Sequence, residues 1–156
     1  EHVGFNYRMT NIQAAIGLGQ LEKFKIFLNK KISIYKQYKK ELNKNYYFEM
    51  AKTNNFVKNS YWLIYLKLKN IDLNDLEKTR SNLINYLKIN GIEGRTGFFA
   101  ASLMKIYKEY VYKKNSYENS LILSKCMITL PSSVNLTNAE IKYISRVINS
   151  FFDKFK

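Results

Sequence analysis

From Thr10 onward, apolar residues recur at Ile12, Ile16, Leu21, Phe24, Leu28, Ile32, Tyr35, Tyr38 and Leu42, close to the 3.6-residue period of an amphipathic helix. Thr10-x-x-Gln13 reads as a capping box, in which the hydroxyl accepts from the third helical N–H and the glutamine reaches back. No proline interrupts the pattern before Asn43-Lys44-Asn45. The expected helix runs some thirty residues, about 50 Å at 1.5 Å per residue. That is longer than one small domain needs. A helix of this kind is expected to bridge two domains or line a subunit interface.

Shorter elements follow. Ser60 to Leu68 alternates and is rich in aromatic residues, which predicts a strand with Trp62 in the core. Asn70 to Asn74 reads as a turn, with Asp72 or Asn74 capping a second helix built on Leu76, Leu83, Ile84 and Leu87. Gly91 is placed to end that helix in a left-handed conformation, and Ile92 to Thr96 is expected to form a short strand. After an apolar loop at 97–101, residues 102–113 suggest a short Tyr-rich helix, and Ser116 starts another through Leu123 to Met127. Thr129 to Ser133 reads as irregular. A second capping box, Thr137-x-x-Glu140, opens a last amphipathic helix on Ile141, Ile144, Val147, Ile148 and Phe151. The expected class is α+β, a small antiparallel or mixed sheet packed with helices and preceded by the long helix.

Composition removes several function classes. At 156 residues, 46% apolar, with six Gly and one Pro, the chain fits a single folded domain or a long piece of one. It begins with Glu1 rather than Met, and is expected to be part of something longer. One Cys and one His supply neither a disulfide framework, a metal cluster nor a Ser-His-Asp set, so no metal site is expected. Cys126 reads as a small buried hydrophobe, His2 as inert, and Gly17-x-Gly19 as a packing pair within the helix rather than a phosphate loop. No apolar run reaches the ~18 residues of a membrane span, and no signal-peptide pattern is present. The net charge of +14 comes from 22 Lys against four Arg, with Asn, Ile and Tyr also inflated. All four of those frequent residues share A/T-rich codons, and the lysines are scattered in pairs rather than blocks. Genome bias therefore accounts for the charge. A basic nucleic-acid-binding module and a non-catalytic dimerisation fragment are the alternative functional readings.

One segment carries chemistry. Asn6 is a short amide with two donors, suited to a phosphate oxygen, and Arg8 is a planar fork that holds phosphate or pyrophosphate bidentately. Both precede a helix N-terminus, where the dipole favours anions. The nineteen residues from Gly4 to Glu22, GFNYRMTNIQAAIGLGQLE, resemble the signature of the DegT/StrS family of pyridoxal-phosphate-dependent nucleotide-sugar aminotransferases. Asn59-Ser-Tyr-Trp-Leu63, Gly91-Ile-Glu-Gly-Arg95 and Leu130-Pro-Ser-Ser133 resemble further family segments in the same order.

The resemblance implies the C-terminal part of an aspartate-aminotransferase-like, fold type I enzyme. Residues 1–45 would be the cofactor and interface loop with the linking helix, and 46–156 the small C-terminal α/β domain. It implies that Asn6 binds the phosphate of the pyridoxal 5'-phosphate of the neighbouring subunit in a homodimer, that Arg8 binds in the same cofactor region, and that Arg8, Arg95 and Tyr7 meet the nucleotide-sugar substrate. After Arg95 this chain has Thr96, Phe98-Phe99 and Ser102 where the family pattern has Pro, an aromatic and often a His. Transamination also needs a lysine to carry the cofactor, a carboxylate for its pyridine nitrogen and an aromatic over its ring. In the family those groups lie upstream of Asn6, and none of the 22 lysines here has the family context. No catalytic residue is therefore expected in this chain, and the fragment alone is expected to be inactive. The implied whole protein is cytoplasmic, has neither nucleic-acid nor membrane partner, and aminates a keto-sugar, of the 4-keto-6-deoxy type, with glutamate as donor. Its product would serve bacterial surface polysaccharide, including lipopolysaccharide.

Overall fold

In the computed structural model, which describes residues 2–42, 45–50, 52–112 and 117–154, the long helix is present as two. Helix α1 spans Asn11–Glu22 and α2 spans Phe24–Leu42. They meet at Lys23, whose N–H turns back to the Gln20 carbonyl at 3.2 Å while its own carbonyl accepts from Phe27 at 3.0 Å. Hydrogen bonding thus runs almost unbroken through the junction. The apolar stripe is covered over only part of its length. No residue of α1 is buried, whereas α2 buries Ile34, Tyr35, Tyr38 and Leu42.

The remaining elements are β1 (Phe48–Met50), β2 (Ile64–Leu68), α3 (Leu76–Ile89), β3 (Arg95–Thr96), two short 3-10 turns (Ala101–Leu103 and Lys105–Tyr110), α4 (Glu118–Cys126), β4 (Met127–Leu130) and α5 (Asn138–Asp153). The sheet is antiparallel throughout, in the order β1-β2-β4-β3. Register pairs Phe48 with Leu68, Leu66 with Ile128 and Ile64 with Leu130. These residues form one buried face, which joins α2, α3 and α5 in a single core. Glu49, Tyr65, Lys67 and Thr129 alternate onto the other face, where Lys67 pairs with Glu49 at 3.5 Å.

Several expectations change for local reasons. The strand expected from Ser60 starts only at Ile64, because Tyr61 takes φ 50 and breaks the extended run. Trp62 accordingly stands out at 69% exposure rather than in the core. Strand β4 occupies residues expected to be helix end and irregular chain. It is paired on both edges, by β2 and β3, so its stability comes from neighbours rather than from its own four residues. Strand β1 has only three residues, and its single alternation, Phe48 and Met50 inward with Glu49 outward, is too short to stand out in the sequence. Neither Asp72 nor Asn74 caps α3; Asp75 takes that position without a side-chain bond, because Asp72 lies farther upstream and closes the preceding turn onto the Asn74 N–H at 2.8 Å. The Tyr-rich helix of 102–113 is replaced by the two 3-10 turns. The expected start of α4 at Ser116 lies outside the described residues.

Both capping boxes form as expected, at Thr10–Gln13 and Thr137–Glu140. Gly91 ends α3 at φ 73, with Ile92 N–H bonded to Leu87 O and Gly91 N–H to Lys88 O, a Schellman arrangement. Helix α5 buries Phe152 more deeply than Phe151, since Phe152 packs between Tyr47 and Phe48. Cys126 is fully buried. The Gly17-x-Gly19 pair faces open space on α1 instead of packing within this chain.

Candidate functional site

The residues singled out in the sequence fall at two places. The first is the arm of residues 2–10, which is exposed along its whole length. Asn6 is tied to Arg8 here: its Oδ1 accepts from the Arg8 backbone N–H and from Arg8 Nε, both at 3.2 Å. That double acceptance closes a local turn and sets the guanidinium beside the amide. Two residues later the Thr10 hydroxyl accepts the Gln13 N–H at 3.3 Å, and the Gln13 side chain accepts from the Thr10 N–H at 2.8 Å, starting α1. The arm therefore carries a singly positive, donor-rich group at a capped helix N-terminus. With Asn6 Oδ1 occupied by Arg8, the arm has donors left to offer: Asn6 Nδ2 and the terminal nitrogens of Arg8. Such a set fits a phosphate and does not fit a cation. Tyr7 is 88% exposed, with its ring 6.0 Å from that of Phe5.

The second place is the end of the sheet where β2 begins and β4 ends. A cleft of about 300 Å³ is lined there by Leu63, Glu93, Arg95 and the run from Thr129 to Ser133. Arg95 reaches it from the edge strand β3, in register with Thr129. Its guanidinium holds Glu93 Oε1 through Nη2 at 2.6 Å and Nε at 3.0 Å. Both partners are about three-quarters exposed (73% and 75%), so the pair orients Arg95 more than it stabilises the fold. Gly97 lets the edge strand lie close to β4: a Cβ at Gly97 would sit 2.6 Å from Met127 Cβ, and its N–H bonds to the Met127 carbonyl at 2.9 Å. Phe98 and Phe99 are each 69% exposed beyond it, and Ser102 Oγ is buried without a hydrogen-bond partner.

Three separated sequence segments thus converge at this cleft: the Trp62 segment, the Arg95 segment and the Leu130-Pro-Ser-Ser133 segment. The arm does not join them. Among the described residues, no hydrogen bond or ion pair links residues 2–10 to the Arg95 cleft.

Tyr35 and Tyr38 lie in the core, as the apolar stripe predicts, and Lys31, to which the sequence assigns no role, joins them beside the cleft. Lys31 Nζ donates to the Trp62 carbonyl at 3.0 Å, to Ser132 Oγ at 3.2 Å and to the Ser132 carbonyl. Tyr35 stacks on Tyr61 with ring centroids 3.9 Å apart, and the Tyr38 hydroxyl donates to the Pro131 carbonyl at 3.0 Å. Burial pushes the Lys31 ammonium below its ordinary value. Burial, with the Glu140 carboxylate as a second cause, pushes the Tyr38 phenol well above its ordinary value. The signal that could have identified the trio is the spacing 31, 35, 38, one face of a helix with a lysine in an otherwise apolar stripe. Among the described residues no group of His, Cys, Asp and Glu could hold a metal ion, and no helix is long and apolar enough to cross a membrane.

Comparison with known proteins adds to this geometry. Residues 1–149 match the model of the DegT/DnrJ/EryC1/StrS aminotransferase family. Over 150 residues the chain is 35% identical to GDP-perosamine synthase of Escherichia coli O157:H7, covering 96% of this chain and 38% of that protein. It is 33% identical to GDP-perosamine synthase of Vibrio cholerae over 97% of this chain and 40% of that one. The chain therefore spans well under half the length of these curated relatives. The fold matches the putative sugar aminotransferase Spr1654 from Streptococcus pneumoniae in its PMP-form, with a TM-score of 0.82 and 23% identity over 94% of this chain and 36% of that one.

Proposed function

Because this chain belongs to the DegT/DnrJ/EryC1/StrS aminotransferase family, we propose that it is the C-terminal part of an enzyme that aminates a nucleotide-linked keto-sugar. The observation that carries the reading is the Asn6–Arg8 pair, a phosphate-fitting donor set on an arm that packs against nothing in its own fold. In this reading residues 1–45 form the cofactor and interface loop with the linking helix, and residues 46–156 form the small domain.

Asn6 and Arg8 hold the phosphate of pyridoxal 5'-phosphate belonging to a second copy of the protein. The exposed apolar side chains of α1, among them Ile12, Ile16 and Leu21, are then covered in a homodimer. When bound, the cofactor supplies the electron sink through which an amino group passes from donor to sugar. This chain's own contribution is to bind and orient. Arg8 and Tyr7 flank the cofactor end of the substrate, and Arg95, held by Glu93, meets its anionic portion from the sheet end.

The E. coli and V. cholerae relatives are named for GDP-perosamine, which makes a GDP-linked 4-keto-6-deoxy sugar the first substrate to test. Glutamate is the proposed donor, the cytoplasm the compartment, and surface polysaccharide such as lipopolysaccharide the destination. The test supplies the whole protein containing this chain with pyridoxal phosphate, glutamate and a panel of nucleotide-linked keto-sugars, and follows aminated product by mass spectrometry. Absence of amination across the panel, with cofactor shown to be bound, would refute the reading.

A further inference from the structure

Lys31, Tyr35 and Tyr38 lie on one stripe of α2, and the stripe meets both rims of the Arg95 cleft. The two rims need such a hold. The ladder between β2 and β4 ends at Ile64 and Leu130, so Trp62 and Ser132 lie beyond its last pair. The Trp62 rim is also bent, since Tyr61 sits at φ 50, a sparsely populated conformation for a bulky residue, with its N–H accepted by Asn59 Oδ1 at 2.8 Å.

The choice of lysine is informative. An ammonium has three donors and no acceptor, and three acceptors converge on this one: the Trp62 carbonyl, the Ser132 carbonyl and Ser132 Oγ. Lys31 is half-buried and, among the described residues, pairs with no carboxylate. Taking an ammonium out of water without a counter-ion is a poor way to gain stability, and an apolar side chain would fill the same space at less cost. What an apolar side chain cannot do is hold two carbonyls from separate loops at one point. Ser132 Oγ closes the arrangement by reaching the Trp62 carbonyl at 3.4 Å.

We propose that Lys31 is a positioning residue that pins the Trp62 and Ser132 rims of the Arg95 cleft to α2. Hydrogen bonding runs almost unbroken through the Lys23 junction, which joins α2 to the α1 helix that follows the arm. In functional terms Lys31 sets the width of the cleft for the sugar nucleotide. This functional half rests on the reading of the cleft proposed above; the pin itself does not.

Two measurements separate the halves. Hydrogen exchange on the chain alone reports the pin through the Tyr61 amide on one rim and the Leu136 amide, bonded to Ser133 O, on the other. Lys31→Met should accelerate exchange at both rims by about tenfold or more, while Lys31→Arg, which keeps charge and several donors, should recover most of the protection. Acceleration at one rim only, or at neither, overturns the pin. Should Lys31→Met fail to fold, Ser132→Ala removes one acceptor on the surface and should loosen the same two rims to a smaller degree.

In the whole protein, Lys31→Met should raise KM for the sugar nucleotide about tenfold and leave kcat within about twofold, with cofactor affinity unchanged and Lys31→Arg in between. An unchanged KM in an enzyme whose rims exchange faster would show the pin to be structural only. A wild-type protein that aminates no nucleotide-linked keto-sugar would instead overturn the reading of the cleft, and the exchange result would then stand by itself.

Discussion

Replacing Asn6 separates one role seen in the structure from one proposed for it. Its Oδ1 orders Arg8 through two bonds of 3.2 Å, and its Nδ2 is the donor proposed for the cofactor phosphate. Asn6→Ala removes both. A hydrogen bond to a charged group is worth about 1.5–3 kcal/mol, so loss of one such bond lowers cofactor affinity about ten- to hundred-fold. Asn6→Asp keeps an acceptor for Arg8 but replaces the donor with a charge that repels phosphate. If Asn6 served only to order Arg8, Asp would be tolerated; if it donates to the phosphate, Asp is worse than Ala. The assay is pyridoxal-phosphate affinity of the whole protein by equilibrium dialysis, alongside thermal melting. Melting should be unchanged, because the arm is exposed and adds nothing to the core. Mixing Asn6→Ala subunits with subunits lacking the cofactor-bearing lysine should restore activity, since in the proposed homodimer a mixed pair contains one native site. Equal affinity for Ala and wild type, or demonstrated subunit exchange without recovery, would refute the role given to Asn6.

Other outcomes follow from the same contacts. Thr137→Ala should destabilise the chain by about 1 kcal/mol in urea titration, because α5 is part of the core, whereas Thr10→Ala removes an equivalent cap from the uncovered α1 and should leave the midpoint in place. Gly97→Ala forces a Cβ against Met127 and should cost about 1–3 kcal/mol, displacing the strand that carries Arg95; chemical shifts of Thr96 and Met127 would report it. The folded-state value of Tyr38 is raised above the unfolded tyrosine value of about 10. Stability from its neutral hydroxyl is therefore complete below pH ~10 and lost as pH rises beyond it, and Tyr38→Phe should flatten that alkaline decline. At high concentration the chain should associate in sedimentation, and Ile12→Asp with Ile16→Asp should return it to monomer; a strictly monomeric wild type would contradict the interface assigned to α1.

Periodic and punctuated parts of this chain were legible one residue at a time. The stripe from Ile12 to Leu42, the capping boxes at Thr10 and Thr137 and the left-handed stop at Gly91 each depend on neighbours within a few positions, so local chemistry alone specifies them. The arm's Asn6–Arg8 pair is equally local, its partners being two residues apart. Long-range pairing decided the rest. Met127 to Leu130 became the strand between β2 and β3 only because both edges were occupied, and Tyr61 bent out of the expected strand where Tyr35 stacks against it. Lys31 looked like one basic residue among 26, because its three acceptors come from chain segments 31 and 101 residues away. No periodicity records such a partner. Sequence alone determined the helix starts at Thr10 and Thr137 and the stop at Gly91, because each rests on residues within a few positions. The tertiary structure decided which stripe the helices bury and which lysine reaches the cleft, because those partners come from distant segments.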